Sequence, residues 1–326
     1  MSAGQISGDE PLGGPGAAGS PAARPRLQAQ QRRQLWLITV GAVVIFFGLR
    51  LLPTGTNLSH MDFRVDPKAG NVIEFCDPLN PQFVPVVAAR SPVTMSIVTG
   101  EPATAGREVR AVVTLKTGSG KPVAPEDLVV MHTRLLHLLI IDPSLADYQH
   151  VHPEPARTAG EWAFSFSPRS AGAYRVFADF TPAATGRGLY ASADLNVAGG
   201  VSDARTRGNS TVVERGGVVF TLSTAQPVRA GQPIDLRFAM SRPAGGEVAL
   251  EPVMGAFAHL VAFDEARSGF AHLHPAETDL LKQPDTTNPA LNFKLTIPRA
   301  GRYVVWAQVN IGGNETFVPF ELSVVE

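Results

Sequence analysis

Cysteine is almost absent from this chain. Its 326 residues include one, Cys76, so an intramolecular disulfide is excluded and each folded domain must be stabilised by its own hydrophobic core. We interpret Cys76 as a small, partly buried hydrophobic residue, with a metal or redox thiol as the alternative. Charge is also limited: 17% of residues are charged and the net charge is −1, which gives no reason to expect nucleic acid as a partner.

Long helical periodicity is equally scarce. The chain has 27 prolines and 31 glycines, and short β-branched or aromatic runs recur between them, which is typical of an all-β protein. The runs within 92–198 recur in the same order within 212–326. This repetition predicts two tandem immunoglobulin-like β-sandwich domains joined by a linker over 199–211. Tyr174 and Tyr303, each in an Ala-Gly-x-Tyr-x-Val run, are predicted to have structural roles as tyrosine corners.

The one long apolar run lies near the amino terminus. Residues 1–31, rich in Gly, Ala, Pro and Ser, are predicted to form a disordered cytoplasmic leader. The length of the run from Leu35 to Leu52 is just inside the ~17–25 residues that a membrane span needs. Residues 32–52 are therefore predicted to be a single transmembrane anchor. Arginines before the run place the amino terminus in the cytoplasm and the later domains in the periplasm or outside the cell. A cleaved signal peptide is the alternative, although no clear cleavage site follows. Residues 53–91 are predicted to be a loop-rich connector.

Histidine is concentrated in two copies of one motif. Both copies read His-Leu-x-x-x-Asp, five further residues, then an aromatic residue followed by x-His-x-His-Pro, and every position recurs 122 residues later. The chain has eight histidines, and six belong to these copies. Neutral imidazole is the commonest metal ligand among protein side chains, so the motif predicts copper or zinc binding. The predicted ligands are His137, His150 and His152 in the first copy and His259, His272 and His274 in the second.

The spacing predicts how each trio converges. Residues two apart in a strand share a face, so His150 and His152 point the same way. A hairpin register that pairs Asp142 with Asp147 also places His137 opposite His152, with β-carbons ~4.5–5.5 Å apart. The proline after the motif stops the strand, which predicts a site at the end of each sandwich, near solvent.

Other residues near the motifs are weaker candidates. Asp142 and Asp264 could accept hydrogen bonds from the ligand imidazoles, although a turn-opening role is the more favoured interpretation. His132 aligns with Met254, and both types can bind copper, but their positions suggest that they face away. The histidines themselves could instead form a hydrogen-bonded structural layer.

These motifs resemble those of bacterial envelope proteins with CopC-like, FixH-like or YtkA-like immunoglobulin-type modules. The resemblance covers 92–198 and 212–326. It is a similarity of general type and does not identify a family. It implies copper handling or metalloprotein assembly outside the cytoplasm, with another envelope protein as a partner. The chain departs from it in lacking methionine-rich stretches.

Enzyme classes fit less well. A cupredoxin needs a cysteine ligand, which neither repeat has, and a zinc hydrolase would need an acid, base or oxyanion donor that the motifs do not supply. The sequence therefore predicts a membrane-anchored, extracytoplasmic metal-binding protein; it favours a non-enzymatic role and leaves an enzymatic one open. The alternative is a non-catalytic adhesion or interaction module with structural histidines.

Overall fold

The computed structural model describes residues 28–51, 58–63, 81–200 and 210–326. It divides the chain into two compact units, 1–54 and 55–326, and each is described by itself. Cys76, most of the predicted leader and most of the predicted linker lie outside the described residues. The first unit contains one α-helix, α1, over Ala29–Leu51, so the last residues assigned to a disordered leader are helical.

Helix α1 covers most of the predicted anchor. None of the helices in the described part of the chain combines the length and the apolarity needed to cross a membrane. Leu52, the last residue of the predicted anchor, is outside the described residues.

The second unit is all-β, with short 3-10 turns at His60–Phe63 and Pro125–Asp127. Its first half, which we call repeat 1, consists of β1 (Val93–Thr99), β2 (Val109–Thr117), β3 (Leu128–Val129), β4 (Leu136–Ile141), β5 (Tyr148–Val151), β6 (Glu154–Pro155), β7 (Glu161–Phe166), β8 (Gly172–Pro182) and β9 (Leu189–Val197). Repeat 2 consists of β10 (Val212–Arg215), β11 (Val218–Thr224), β12 (Val228–Arg229), β13 (Pro233–Ser241), β14 (Leu250–Glu251), β15 (His259–Asp264), β16 (Phe270–Leu273), β17 (Ala290–Thr296), β18 (Gly301–Ile311) and β19 (Asn314–Val325).

The two repeats have the same strand order. In repeat 1, one sheet runs β1-β2-β7 and the other β9-β8-β4-β5. In repeat 2, the matching orders are β11-β13-β17 and β19-β18-β15-β16. The prediction of an all-β protein with a repeated β-sandwich is therefore confirmed. The tyrosine corners are also present: the Tyr303 hydroxyl donates to the carbonyl of Arg299, and the Tyr174 hydroxyl accepts from the amide of Ser170.

A tight turn separates β3 from β4. Strand β3 ends at Val129, and His132 and Thr133 have φ of 48° and 69° in a tight turn. Met254 adopts the same left-handed conformation in repeat 2, with φ of 50°. Such values are uncommon for residues other than glycine. The turn reverses the chain just before β4, and this places His132 beside the histidine strands.

Strands β4 and β15 are buried on both faces. Leu138 and Ile140 face the core of repeat 1, while the alternate residues Leu139 and Ile141 belong to a different apolar cluster. That cluster, here called the interface core, also contains side chains from repeat 2. The five-stranded sheet that contains β4 and the six-stranded sheet that contains β15 therefore bury their outer faces against each other. The interface core comprises Val84, Val86, Leu139, Ile141, Leu145, Tyr148, Phe177, Val261, Phe263, Phe270, Val304 and Trp306.

The connector contributes to this packing, which its loop-like composition did not predict. The backbone of Val84 exchanges hydrogen bonds with that of Phe270 in β16, at 2.8 and 3.1 Å. The approach requires glycine at Gly269, since a β-carbon there would lie 1.8 Å from the Val84 carbonyl oxygen. At the other end of the connector, the amide of Leu58 donates to the Asp127 carboxylate in repeat 1.

Candidate metal centre

The hairpin register is the one that the sequence predicted. Leu138 pairs with Val151 and Leu139 with His150, which places His137 opposite His152. Repeat 2 has the equivalent register, with Leu260 paired to Leu273. Because directly paired residues share a face, each trio of histidines lies on one side of its hairpin. In both repeats that side is the one facing the other repeat.

The two trios consequently meet in a single cluster. Seven of the eight histidines belong to it, with the ring of His132 stacked on that of His274 at a centroid separation of 3.7 Å. His150 and His272, from different repeats, have ring centroids 5.4 Å apart. The structure therefore differs from the expectation of two separate sites at the solvent-facing ends of the sandwiches. We call this group the histidine cluster: His132, His137, His150, His152, His259, His272 and His274.

Two cross-repeat hydrogen bonds hold the cluster in place. His150 Nδ1 lies 3.0 Å from Gln308 Oε1 in repeat 2, and His272 Nδ1 lies 3.1 Å from Asp179 Oδ2 in repeat 1. Asp179 and Gln308 occupy equivalent positions, because Asp179 pairs with His137 and Gln308 with His259 across β4–β8 and β15–β18. Each repeat thus provides an acceptor for the middle histidine of the other. Neither acceptor was predicted from the sequence, because each lies more than 90 residues from its histidine.

The aspartates proposed for this role lie elsewhere. Asp142 accepts hydrogen bonds from the backbone amides of Ser144, Ala146 and Asp147 and from the Ser170 hydroxyl. Asp264 accepts from the amide and hydroxyl of Ser268. Both carboxylates close turns at the far end of the histidine strand. These contacts agree with the interpretation that the sequence favoured, a turn-opening aspartate.

The hydrogen bonds of His137 and His150 determine which of their ring nitrogens carry protons and which have free lone pairs. His137 Nε2 lies 3.0 Å from the Met131 carbonyl, which can only accept, so this nitrogen carries the proton of a neutral ring. His150 Nδ1 must likewise donate to Gln308 Oε1, since the amide nitrogen of Gln308 donates to Glu315. The remaining nitrogens, His137 Nδ1 and His150 Nε2, then direct lone pairs at each other across 3.1 Å. A cation between them would satisfy both.

Other ring nitrogens in the cluster are also without partners. Within the described part of the chain, the buried Nε2 atoms of His152, His272 and His274 have no hydrogen-bond partner, and neither nitrogen of His259 has one. A buried polar atom without a partner costs about 1–3 kcal/mol, and such a concentration is unusual in a native core. These atoms belong to the same rings that the sequence proposed as metal ligands.

Burial keeps these rings neutral. Desolvation, followed by the influence of neighbouring imidazoles, lowers the pKa of His150 and His259 well below the ordinary value. The pKa of His152 falls to about 3 and that of His274 to about 2, mainly through burial. Burial also raises the pKa of Asp179, although His137 and His132 oppose that shift. Neutral imidazole is the form that coordinates metal ions.

The donor atoms fall into two groups. Those of His137, His150 and His152 lie within 4.8 Å of one another, and so do those of His132, His259 and His274. The first group is one of the predicted trios. The second contains His132, which was expected to face away, in place of His272. A cavity of about 240 Å3 adjoins both groups, and its lining includes His132, His272 and Asp179.

Comparison with known proteins gives a family match, whereas the solved structures that it returns are of low similarity. Crystallised red sea bream transglutaminase is 10% identical, with a TM-score of 0.24, over 73% of this chain and 32% of that one, so the chain spans about a third of its length. The PKD domain of an M14-like peptidase from Thermoplasmatales archaeon SCGC AB-540-F20 is 13% identical, with a TM-score of 0.22, over 34% of this chain and all of that one. No curated protein matches the chain. The profile of the family described as Domain of unknown function (DUF8832) matches residues 89–199 and 211–326. The chain therefore belongs to the DUF8832 family and carries its domain twice.

Proposed function

We propose that this protein binds copper or zinc ions through the histidine cluster and acts in metal handling or metalloprotein assembly. The observation that carries the proposal is the 3.1 Å distance between His137 Nδ1 and His150 Nε2. Both nitrogens have a free lone pair on the side that faces the other ring. For an ion ~2.0–2.1 Å from each nitrogen, this distance gives a nitrogen–metal–nitrogen angle of about 100°, close to the tetrahedral value. Imidazole donors without a thiolate suit divalent copper or zinc.

Metal analysis of the purified full-length chain tests the proposal. The protein is stripped with a chelator, loaded separately with Cu²⁺ or Zn²⁺, dialysed and analysed for bound metal. We expect tightly retained copper or zinc in the wild type and in His60→Ala, since His60 is an exposed histidine outside the cluster. His150→Ala removes one of the paired donors and should retain less metal than the wild type. A wild-type protein that retains neither metal would contradict the proposal.

A second candidate function is an interaction module whose histidines are structural. It is favoured by the two cross-repeat hydrogen bonds, His150 to Gln308 and His272 to Asp179, which join the sandwiches without metal. Under this alternative the loaded protein carries no metal, yet His150→Ala still destabilises the fold. The unpartnered nitrogens of His259 favour the metal-binding function, because a structural layer would be expected to pair them.

The cellular location remains a proposal from the sequence. The apolar run up to Leu52 and the arginines before it favour a cytoplasmic amino terminus, one membrane anchor and immunoglobulin-like domains outside the cytoplasm. The resemblance to CopC-like and FixH-like envelope proteins agrees with this location. Reporter fusions after residue 90 should be active outside the cytoplasm. Activity of these fusions only in the cytoplasm would contradict the proposed topology.

A further inference from the structure

The two donor groups differ in how they are built. His137, His150 and His152 all come from one hairpin, whereas the second group combines His132 of repeat 1 with His259 and His274 of repeat 2. Donor separations of up to 4.8 Å exceed the ~3.3 Å between ligands of a tetrahedral zinc ion, so the rings need to close by roughly 1.5 Å at most. Rotation about side-chain bonds can supply a movement of that size.

His272 lies between the two groups. Its ring centroid is 5.4 Å from that of His150 and 5.5 Å from that of His259. Because Nδ1 donates to the Asp179 carboxylate, the Nε2 atom carries the lone pair, and it is buried with no partner among the described residues. A carboxylate behind a ligating imidazole fixes its orientation and makes it a stronger ligand. His272 therefore directs an unpartnered donor nitrogen into the region between the two groups, although it belongs to neither of them.

We propose that the histidine cluster is a two-metal centre shared by both repeats, with one ion in each donor group and His272 beside both. This inference rests on the proposed function and adds the number of ions, their proximity and the identity of the second site. The two sites are neighbours, since rings of different groups, such as His132 and His137, are 6.3 Å apart. The Asp179 carboxylate supplies negative charge beside two adjacent cations.

Copper loading of the full-length chain tests the proposal by stoichiometry and by electron paramagnetic resonance. We expect two Cu²⁺ ions per chain and a signal that shows magnetic coupling between them, with a half-field transition or fewer countable spins than copper atoms. One ion per chain, or two ions with independent signals, would overturn the two-metal centre and leave the proposed function standing. No retained copper would overturn the two-metal centre, and retention of neither copper nor zinc would overturn both proposals.

Variants separate the two sites. His152→Ala should leave one ion, held by the second group, and His132→Ala should leave one ion, held by the first. Both variants should lose the coupling, while His60→Ala keeps two coupled ions. His132 is partly exposed in a turn, so its replacement leaves the interface core intact. Retention of two coupled ions by His132→Ala would contradict the second site. The wild-type spectrum tests the proposal even if a variant fails to fold.

Discussion

At the scale of single residues, Asp179 and Gln308 show how a duplicated site becomes asymmetric. They hold equivalent positions in β8 and β18, yet one presents a carboxylate to its histidine and the other an amide oxygen. A carboxylate polarises the imidazole N–H more strongly than an amide does, so His272 should be the better electron donor. The two repeats therefore contribute unequal ligands in spite of their matching motifs.

We predict that Asp179→Asn weakens metal binding by about 10- to 100-fold without removing any donor. The amide retains the hydrogen bond to His272 and loses the negative charge. Competition titration against a chelator of known affinity gives the measurement. The matched control is Gln308→Asn, which changes the equivalent position without changing charge, and its effect should be the smaller. Equal affinities for wild type and Asp179→Asn would contradict a role for the carboxylate.

A second residue-scale prediction concerns Asp142. Its carboxylate is buried and accepts hydrogen bonds from three backbone amides and the Ser144 hydroxyl in the β4–β5 turn, and from the Ser170 hydroxyl before β8. We expect Asp142→Ala to lower the free energy of unfolding by about 2–4 kcal/mol, because several buried donors lose their acceptor. Metal stoichiometry should stay unchanged. Urea unfolding and metal analysis check the two expectations, and loss of metal by a folded variant would restore the discarded role as an acceptor for a ligand.

At the scale of elements, the histidine strands and the interface core are continuous. Phe177 in β8 lies on the same face as Asp179, two residues away. The centroid of its ring is 6.1 Å from that of Phe263 and 5.3 Å from that of Phe270, both in repeat 2. The apolar contacts between the sheets thus fix the distance between the two halves of the cluster. Metal binding and the docking of the repeats should depend on each other.

We predict that Phe177→Ala reduces the free energy of unfolding by about 3–5 kcal/mol and also weakens metal binding. The substitution opens a cavity in the interface core and loosens the contact that brings the two groups of rings together. Phe293→Ala serves as the control, because Phe293 is equally buried but lies in the core of repeat 2 alone. The control should lose stability with a smaller change in affinity. Identical affinities in wild type and Phe177→Ala would show that the site is independent of the interface.

At the scale of the whole molecule, the buried histidines make the metal-free fold sensitive to acid. Their pKa values are lowered in the folded state, to about 3 for His152 and about 2 for His274, whereas the unfolded chain has the ordinary value of about 6.5. Below pH 6.5 the unfolded chain takes up protons that the folded protein refuses, so unfolding becomes more favourable. Stability is full above that pH and declines as the pH falls towards the folded-state values.

We therefore expect the urea midpoint of the metal-free protein to be constant above about pH 7 and to fall steadily from pH 6.5 to pH 5. His274→Gln has one fewer buried imidazole and should show a shallower fall. A midpoint that is flat from pH 7 to pH 5 would contradict the argument. Because burial lowers the pKa of these imidazoles in the folded protein, direct competition between protons and metal begins well below pH 6.5, and acid acts first through unfolding.

Local pattern predicted much of the fold. Short β-branched or aromatic runs predicted the strands, and the turn between Asp142 and Asp147 predicted the β4–β5 register, because each depends on neighbours in sequence. One available signal was missed. The runs after His137 and His259, Leu-Leu-Ile-Ile and Leu-Val-Ala-Phe, do not alternate, and such continuity indicates a strand buried on both faces. This continuity indicates that the face of the hairpin that carries the histidines also packs against another part of the protein.

The sequence by itself determined that each trio of histidines shares one face of a hairpin, because side chains alternate strictly along a strand. Only the tertiary structure decided what that face meets. The packing of two sheets from different repeats brought the trios together, added His132 and selected Asp179 and Gln308 as acceptors. These contacts join residues about 90 to 160 positions apart. They arise from the burial of two apolar sheet faces against each other, and the hydrophobic effect that drives such burial is non-directional, so no local pattern encodes which side chains will meet.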